Sequence, residues 1–469
     1  MRRRLCFLLA LVVSAGATPP PAAEAAGRRP YGGVVRVALP GLGGLDDPRA
    51  LTQPGARWLA SWTHCRLFRV DGRGRVRAEL ARDGGEMRGR TLTLRLVDGA
   101  QFHDGAVATA TDVVQSLQSL TRSPPKDAAG AALAEMIAAL EVRALDPATV
   151  EIRGPSRTDP HTIRRLLARP EAAILHGGTA ARGHGCGPFR PSNGSASGVE
   201  LVAHPGHPEG RPWLDRLEIA VRPDPRAQSA AFADGEVDLT PSIASRDRRD
   251  AASLRGALAT VYAVVAPSLR GDDARVLRRN ISALASEARL VRHSEWPAEH
   301  AESLWPTLLS PAPAAPPATG PALPQPVLVI AYPEGNASLA ELARALRDAL
   351  APLSLTPARA VAVAGLDLRG AVTAKAPPWQ LAVVSHEWQA LDVEQAALEL
   401  ARALDRPGLT ATDALTGRGR GYAAAQNEAA PAIPLLHLER PLHHRSWLIL
   451  DGGTSAATGV DLGDAWRRP

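Results

Sequence analysis

The apolar positions of this chain recur at helical spacing in some segments and form short runs in others. Helical spacing predicts helices at residues 131–140, 226–233, 274–290, 339–350 and 393–404. Short apolar runs bounded by turn residues predict strands at residues 90–96, 142–145, 149–152, 217–221, 327–331 and 380–385. In the second half, strand 327–331 is followed by helix 339–350, which is a βα unit. The pattern therefore predicts an α/β protein.

A turn followed by a capped helix is predicted between Gln101 and Leu117. Asp104 and Gly105 are typical turn residues, because glycine adopts positive φ without steric cost. Thr109 or Thr111 can cap the helix that follows, since a threonine hydroxyl accepts a hydrogen bond from the first turn. This segment indicates local structure and no chemistry of its own.

The first 25 residues have the three parts of a secretory signal peptide. An arginine run precedes a short apolar stretch at 5–13, and residues 23–25 offer an Ala-x-Ala cleavage site, with 15–17 as a competing one. The apolar stretch is too short to span a membrane, which needs about 20 residues. Cys6 lies inside the apolar stretch and not after it. We therefore expect export with cleavage, and no lipid anchor.

The composition excludes one class of partner. The 469-residue chain carries a formal charge of +6, which on its own would suggest nucleic-acid binding. Beyond residues 1–25, however, its arginines are scattered singly or in pairs, its lysines are only Lys126 and Lys375, and no basic run is interleaved with aromatic residues. We therefore predict no nucleic-acid partner. The 45% of hydrophobic residues is enough for substantial cores.

The residues from Phe102 to Ser116 resemble a known family signature. Phe102-His103-Asp104-Gly105, then Thr109-Ala110 and Asp112-Val113, resemble the "FHDG…T-A-x-D-V…S" signature of family 5 extracellular solute-binding proteins. These are the peptide and nickel receptors of ABC importers. Further segments resemble the family in the same order, at residues 32–38, 45–48, 67–71, 92–99, 187–189, 212–217 and 235–239. The resemblance covers residues 32–240 well and the remainder thinly.

The resemblance implies an architecture. It is an α/β fold, periplasmic-binding-protein-like type II, with two lobes and an extra inserted small domain, three domains in all. Lobe I would comprise residues 33–68, 181–262 and 437–469. The inserted domain would comprise residues 69–180, and lobe II residues 263–436, with a Pro/Ala-rich loop at 306–326. Residues 459–462 and Trp466 resemble the closing strand and helix of the family.

The resemblance also implies a solute site between the lobes. In the family, an acid on a lobe II loop meets the α-amine of a peptide. Trp388 matches the tryptophan of that loop, and Asp392 is the nearest acid. Asp392 is equally suited to cap a helix beginning at Val393, and Trp388 to be a cleft wall or ordinary core. Leu45 and Asp46, in the segment resembling "LDP", complete the candidate ligand contacts.

Two cysteines, Cys65 and Cys186, remain after signal cleavage. In an oxidising compartment an isolated pair is a disulfide candidate. Both positions border strands that the resemblance places near the hinge of the family. The alternative is two buried free thiols.

Catalysis and metal binding find little support. No G-x-S-x-G, H-E-x-x-H or P-loop is present, so we predict no enzyme and no cofactor. Histidines and a cysteine cluster in sequence at His184, Cys186, His204, His207, and at His443 with His444. Histidines on surface loops are more often not ligands, and we assign no metal site.

The function implied by the resemblance is that of a periplasmic substrate-binding receptor of an ABC importer. It would capture a peptide-like solute, work as a monomer and deliver the solute to permease subunits at the membrane. The segment 275–284 lacks the Asp-Arg expected in lobe II, so this lobe has diverged. The alternatives are a sensor or protein-interaction scaffold without transport, and nickel or metal-chelate binding. An exported hydrolase is disfavoured because no nucleophile constellation is present.

Overall fold

A computed structural model describes most of the chain between residues 31 and 468. The described residues are 31–49, 51, 55–181, 183–241, 251–267, 269, 271–286, 290–294, 298–301, 304, 306, 328–351, 358–422, 431–451, 454–455, 459–460 and 462–468. The predicted signal peptide at 1–25 lies outside them. So does the Pro/Ala-rich loop predicted at 306–326, apart from its first residue.

Short strands and a few helices alternate in the first half. The first elements are β1 (Val34–Leu39), α1 (Ala56–Thr63), β2 (Phe68–Val70), β3 (Val76–Ala78), β4 (Glu86–Arg88) and β5 (Thr91–Arg95). They are followed by α2 (Ala110–Arg122), α3 (Ala128–Ala138), β6 (Glu141–Asp146), β7 (Thr149–Arg153) and α4 (Pro160–Leu166). The half ends with β8 (Phe189–Ser195), β9 (Gly198–Ala203), β10 (Arg216–Val221), α5 (Pro225–Ala233) and β11 (Leu239–Thr240).

The second half contains the two longest strands. Its elements begin with β12 (Ala251–Val265), α6 (Gly271–Ser286), β13 (Ala298–His300), β14 (Val329–Pro333), α7 (Ala337–Leu350) and β15 (Arg359–Val363). They continue with α8 (Leu368–Thr373), β16 (Leu381–Glu387), α9 (Val393–Ala403), α10 (Ala411–Leu415) and β17 (Ala432–Arg445). The chain closes with β18 (Leu448–Leu450), β19 (Thr454–Ser455), β20 (Gly459–Val460) and β21 (Ala465–Arg467).

One eleven-stranded sheet runs through both halves of the molecule. Its order is β15-β14-β16-β12-β17-β11-β1-β10-β9-β8, with β13 also paired to β17. Strand β17 pairs with β12 along most of its length. On its other edge it pairs with β13 at residues 436–438 and with β11 at residues 443–444. The predicted lobe borders at 262/263 and 436/437 therefore fall inside β12 and β17. The division into lobes remains a prediction.

A separate four-stranded sheet, in the order β4-β5-β7-β6, carries helix α2, and α3 packs against α2 and α9. Of the two threonines predicted as caps, Thr109 caps helix α2, in a capping box. The Thr109 hydroxyl accepts from the backbone N–H of Asp112, and the Asp112 carboxylate accepts from the backbone N–H of Thr109 at 2.9 Å. The other Asp112 oxygen accepts from Gly177 N at 2.9 Å. The signature helix is thus tied to a turn 65 residues further on.

Helix α1 fixes the core beside β1. Leu59 and Trp62 are completely buried, and the Trp62 indole N–H donates to the backbone oxygen of Val460 at 2.8 Å. Trp58 packs at the edge of the same cluster. These residues are core, as their helical spacing predicts. Among the described residues, no helix has both the length and the apolar character that crossing a membrane requires.

The expectation of a closing helix at Trp466 was wrong. Trp466 lies in β21, which pairs antiparallel with β18, where it stands opposite Ile449. Ala465 is buried, Trp466 is partly exposed and Arg467 is exposed.

A disulfide joins Cys65, just after α1, to Cys186, just before β8. Both residues are fully buried, their Cα atoms are 5.0 Å apart, and 121 residues separate them in sequence. The backbone beside the bridge is tightly packed. A Cβ on Gly187 would lie 2.5 Å from the backbone of Thr63 and His64, so only glycine fits there.

Candidate functional site

A buried ion pair lies where the first half of the chain meets the loop after β16. Arg169 and Glu171 have side chains only 2% exposed, and Arg169 Nη2 lies 2.7 Å from Glu171 Oε1. The same Nη2 donates to Gln389 Oε1 at 3.2 Å. Burial alone would raise the pKa of Glu171, but the charge and hydrogen bonds of Arg169, with a smaller contribution from Arg57, lower it overall. Glu171 is therefore ionised and paired.

A second acid, Glu399 on α9, continues this arrangement. Its side chain is fully buried, and its Oε1 accepts from His386 Nε2 at 2.8 Å and from Gln389 N at 3.1 Å. Glu399 also helps to raise the pKa of Arg169, although Glu171 contributes more and burial opposes both. Gln389 thus contacts both acidic groups, one directly and one through Arg169.

Trp388 connects this loop to strands β12 and β17. It is 1% exposed, and its indole N–H donates to Thr260 Oγ1 at 2.8 Å. Thr260 Oγ1 is also 2.9 Å from His437 Nδ1. The hydroxyl accepts from Trp388, and it either donates to His437 Nδ1 or accepts from it, according to the tautomer of the ring. The His386 ring packs edge-on against the ring of Trp388, with the ring centroids 4.9 Å apart.

Arg57 approaches the same region from helix α1. It is 7% exposed, and its Nη1 lies 3.5 Å from Glu387 Oε1 at the end of β16. We call Arg57, Arg169, Glu171, Gln389, Glu399 and His437 the central polar cluster. Its members come from α1, the turn after α4, the loop after β16, α9 and β17. Elements far apart in sequence therefore converge on one buried polar centre.

Three atoms of the central polar cluster have no hydrogen bond. They are Arg57 Nε, Glu399 Oε2 and His437 Nε2, out of five such buried side-chain atoms among the described residues. A buried polar atom without a partner costs about 1–3 kcal/mol, so native proteins rarely leave one. Arg57 Nε is a donor, Glu399 Oε2 is a carboxyl acceptor, and His437 Nε2 donates or accepts according to its tautomer. A solute with a carboxylate or carbonyl group and an ammonium group would match them.

Asp392 caps helix α9. Its Oδ1 accepts from Gln395 N at 2.9 Å and its Oδ2 from Gln395 Nε2 at 3.3 Å. Arg165 Nη1 is 3.9 Å from the same carboxylate. Burial raises the pKa of Asp392, more than the hydrogen bonds to it lower that pKa. The capping alternative accounts for the hydrogen bonds of Asp392 with Gln395, and the role of Asp392 as amine partner stays a prediction.

The other two candidate contacts lie apart from the central polar cluster. Leu45 is 4% exposed and packs in the core beside β1, next to Trp62. Asp46 is exposed. Their assignment to ligand binding also stays a prediction, whereas Trp388 is joined to the cluster through Thr260.

The histidines that cluster in sequence have separate partners. His204 Nε2 donates to Gln101 O at 2.8 Å, His207 Nδ1 to Cys186 O at 3.0 Å, and Cys186 itself is in the disulfide. His444 Nδ1 donates to Arg445 O at 2.9 Å, and burial lowers its pKa. These rings hold backbone carbonyl groups, in the part of the chain described.

Stability should depend on pH through His437. Burial, and to a lesser degree His300 on β13, lower its pKa from 6.5 to about 4. The unfolded chain therefore binds a proton between pH 6.5 and about 4 that the folded chain does not, and stability falls as the pH falls through this window. The wild type loses unfolding free energy as the pH falls from 6.5 to 5, and we expect His437→Asn to make that loss smaller by roughly 1–2 kcal/mol. Urea unfolding at the two pH values measures it. His161→Asn, on an exposed side chain, should leave the loss unchanged; equal losses in both variants would contradict the assignment.

A surface groove of about 470 Å³ lies elsewhere, along β8, β9 and β10. Its lining includes Arg36, Glu200, Glu218 and Arg222 and no member of the central polar cluster. Its mixture of charges does not favour one class of ligand.

Sequence comparison places the middle of the chain in a family. Residues 76–263 match the model described as "Bacterial extracellular solute-binding proteins, family 5 Middle". A putative ABC transporter peptide-binding protein of Brucella ovis is 28% identical over 160 residues. That alignment covers 32% of this chain and 30% of the relative, so the chain spans less than a third of the length of this curated relative.

Solved structures agree over nearly the whole chain. A periplasmic binding protein of Helicobacter pylori, solved in complex with a peptide, matches with a TM-score of 0.72 at 14% identity, covering 94% of this chain and 99% of the other. An ABC transporter substrate-binding protein of Listeria monocytogenes matches with a TM-score of 0.74 at 16% identity, covering 94% and 100%. At these identities the likeness concerns the fold, which is the predicted type II α/β fold.

Proposed function

We propose that this chain, whose residues 76–263 match the family 5 model of bacterial extracellular solute-binding proteins, captures a peptide-like solute between two lobes. The solute would then pass to the permease subunits of an ABC importer. The protein would be exported and would act by binding, without chemical change to the solute.

One observation supports this proposal above the others. Arg57 Nε, Glu399 Oε2 and His437 Nε2 are buried and have no hydrogen-bond partner. They belong to α1, α9 and β17, so the two predicted lobes both contribute. A solute that pairs with them would favour the closed arrangement by its extra contacts, which is how such receptors couple closure to binding.

The chemistry of these atoms favours a solute with both charges. Glu399 Oε2 would accept from an ammonium group, and the N–H groups of Arg57 and His437 would donate to a carboxylate or carbonyl. A short peptide carries all of these groups. In this role Glu399 replaces the acid that the sequence alone placed at Asp392.

The test uses ligand-free protein, prepared by unfolding, dialysis and refolding. We expect a peptide at 100 times its dissociation constant to raise the free energy of unfolding by about 2.7 kcal/mol. N-terminal acetylation of that peptide should weaken binding, because it removes the ammonium group. Glu399→Gln should weaken binding of the free peptide by about tenfold or more, an effect of about 1.4 kcal/mol. The losses of binding free energy caused by acetylation and by Glu399→Gln should not add, since both remove the same contact.

Arg143→Gln is a matched control, because Arg143 is a surface residue whose side chain is 66% exposed. It should leave the affinity unchanged. If no peptide shifts the unfolding midpoint, transport of peptides is ruled out and the sensor or scaffold alternative takes its place. If peptides bind but Glu399→Gln and acetylation add fully, the receptor function stands and the role of Glu399 fails.

A further inference from the structure

Three metal-ligand side chains meet beside the signature turn. Asp104, His176 and His184 each present one ligand atom, and these atoms lie within 4.8 Å of one another. Asp104 and His176 are 72 residues apart in sequence, so the fold brings them together. All three are at least partly exposed, which gives an ion access.

Neighbouring groups hold each of the three side chains in place. His184 Nδ1 donates to Thr179 O at 3.0 Å, which leaves Nε2 as a free lone pair. The His176 ring stacks on Phe102, with ring centroids 5.3 Å apart. Asp104 Oδ1 accepts from Ala106 N at 3.0 Å, so Oδ2 faces His176. Such outer contacts orient metal ligands, and the contact with Thr179 also fixes the tautomer of His184.

We propose that Asp104 Oδ2, His176 Nδ1 and His184 Nε2 bind one first-row transition-metal ion, with Zn²⁺ as the reference ion. Two imidazoles and one carboxylate suit Zn²⁺, Ni²⁺ or Cu²⁺, whereas Mg²⁺ and Ca²⁺ prefer oxygen alone. Asp104 Oδ2 and His176 Nδ1 are now 2.5 Å apart, and Nδ1 donates its hydrogen to the carboxylate. They would separate to admit the ion at about 2.0–2.2 Å from each ligand. The ring hydrogen would move from Nδ1 to Nε2 by exchange with water, which frees the Nδ1 lone pair for the ion. Water would complete a four-coordinate shell.

The ion would connect two parts of the chain. Asp104 is in the turn before α2, whereas His176 and His184 lie in the segment that leads to Cys186 and the disulfide. The site is separate from the central polar cluster. The metal is therefore a structural link and not the captured solute, and the inference is independent of the proposed function.

The test is titration of metal-free protein, prepared by dialysis against EDTA, with ZnCl₂. Native mass spectrometry should show one ion per chain, and the unfolding midpoint should rise. His184→Gln and Asp104→Asn should each weaken binding by about tenfold or more. Asp104→Asn keeps an acceptor for Ala106 N, so the turn is preserved. Substitution with Co²⁺ should give visible absorption bands that the two variants lack.

His161→Gln is the matched control, because His161 is an exposed histidine on α4. It should bind Zn²⁺ as the wild type does. Unchanged binding in His184→Gln and Asp104→Asn, or no ion retained by the wild type, would overturn the proposal. Either result would leave the peptide titrations unaffected.

Discussion

Replacement of Arg169 by methionine is expected to lower the free energy of unfolding by about 3–5 kcal/mol. Arg169 and Glu171 are a buried pair, each side chain 2% exposed. Methionine occupies a similar volume, but it leaves the Glu171 carboxylate buried without its partner and Gln389 Oε1 without its donor. Removing one member of a buried pair costs more than the pair contributes, because the remaining charge is not compensated. Urea unfolding followed by circular dichroism measures the change.

A double substitution and a surface control make this expectation specific. Arg169→Met with Glu171→Leu removes both charges and should recover much of the lost stability. Arg88→Met removes an ion pair with Glu86 whose side chains are 81% and 65% exposed, and it should cost less than about 1 kcal/mol. If Arg169→Met and Arg88→Met lowered the free energy of unfolding equally, the expectation for the buried pair would be wrong.

Loss of the Cys65–Cys186 disulfide should cost about 2–5 kcal/mol. The bridge spans 121 residues of sequence, and its removal frees a long loop in the unfolded chain. The variant Cys65→Ala with Cys186→Ala is preferable to serine, because both positions are fully buried and a hydroxyl there would add a desolvation penalty. Chemical unfolding of the oxidised wild type and the double variant gives the difference.

Reduced wild-type protein is the matched control, since it keeps both sulfur atoms and lacks only the covalent link. Dithiothreitol should lower the unfolding midpoint of the wild type and leave that of the double variant unchanged. A wild type indifferent to reduction would mean either that the thiols are free in solution or that the bridge adds no stability. Mass spectrometry after alkylation separates these two cases.

Much of the fold could be predicted from local patterns, because the determining interactions are close in sequence. The capping box of α2 depends on Thr109 and Asp112, three residues apart, and helix α9 begins at Val393 where the pattern places it. The prediction failed at Trp466, where pairing with β18 decides between strand and helix. Such pairing is not encoded within the segment itself.

The candidate site was less predictable, because its residues are charged and far apart in sequence. Arg169 and Glu171 have the composition of a surface turn, and only the tertiary fold buries them. Glu399 lies within an amphipathic helix, where a glutamate normally faces water. His184 was noted as a possible ligand, but with Cys186 and not with Asp104 and His176. Trp388 could be predicted as a ligand contact because the residues around it resemble a loop of the family.

The continuity of β12 and β17 limits how the molecule can open. The two predicted lobes share one hydrogen-bonded sheet, so paired strands connect them and not a flexible linker. The ladder between these strands has register irregularities, between Leu254 and Ala257 and again between Val261 and Tyr262. Such bulges weaken the ladder locally and increase its twist. An opening of the molecule would therefore twist the sheet about these points. The edge strands β15 and β8 are furthest from the twist axis and would show the largest displacement.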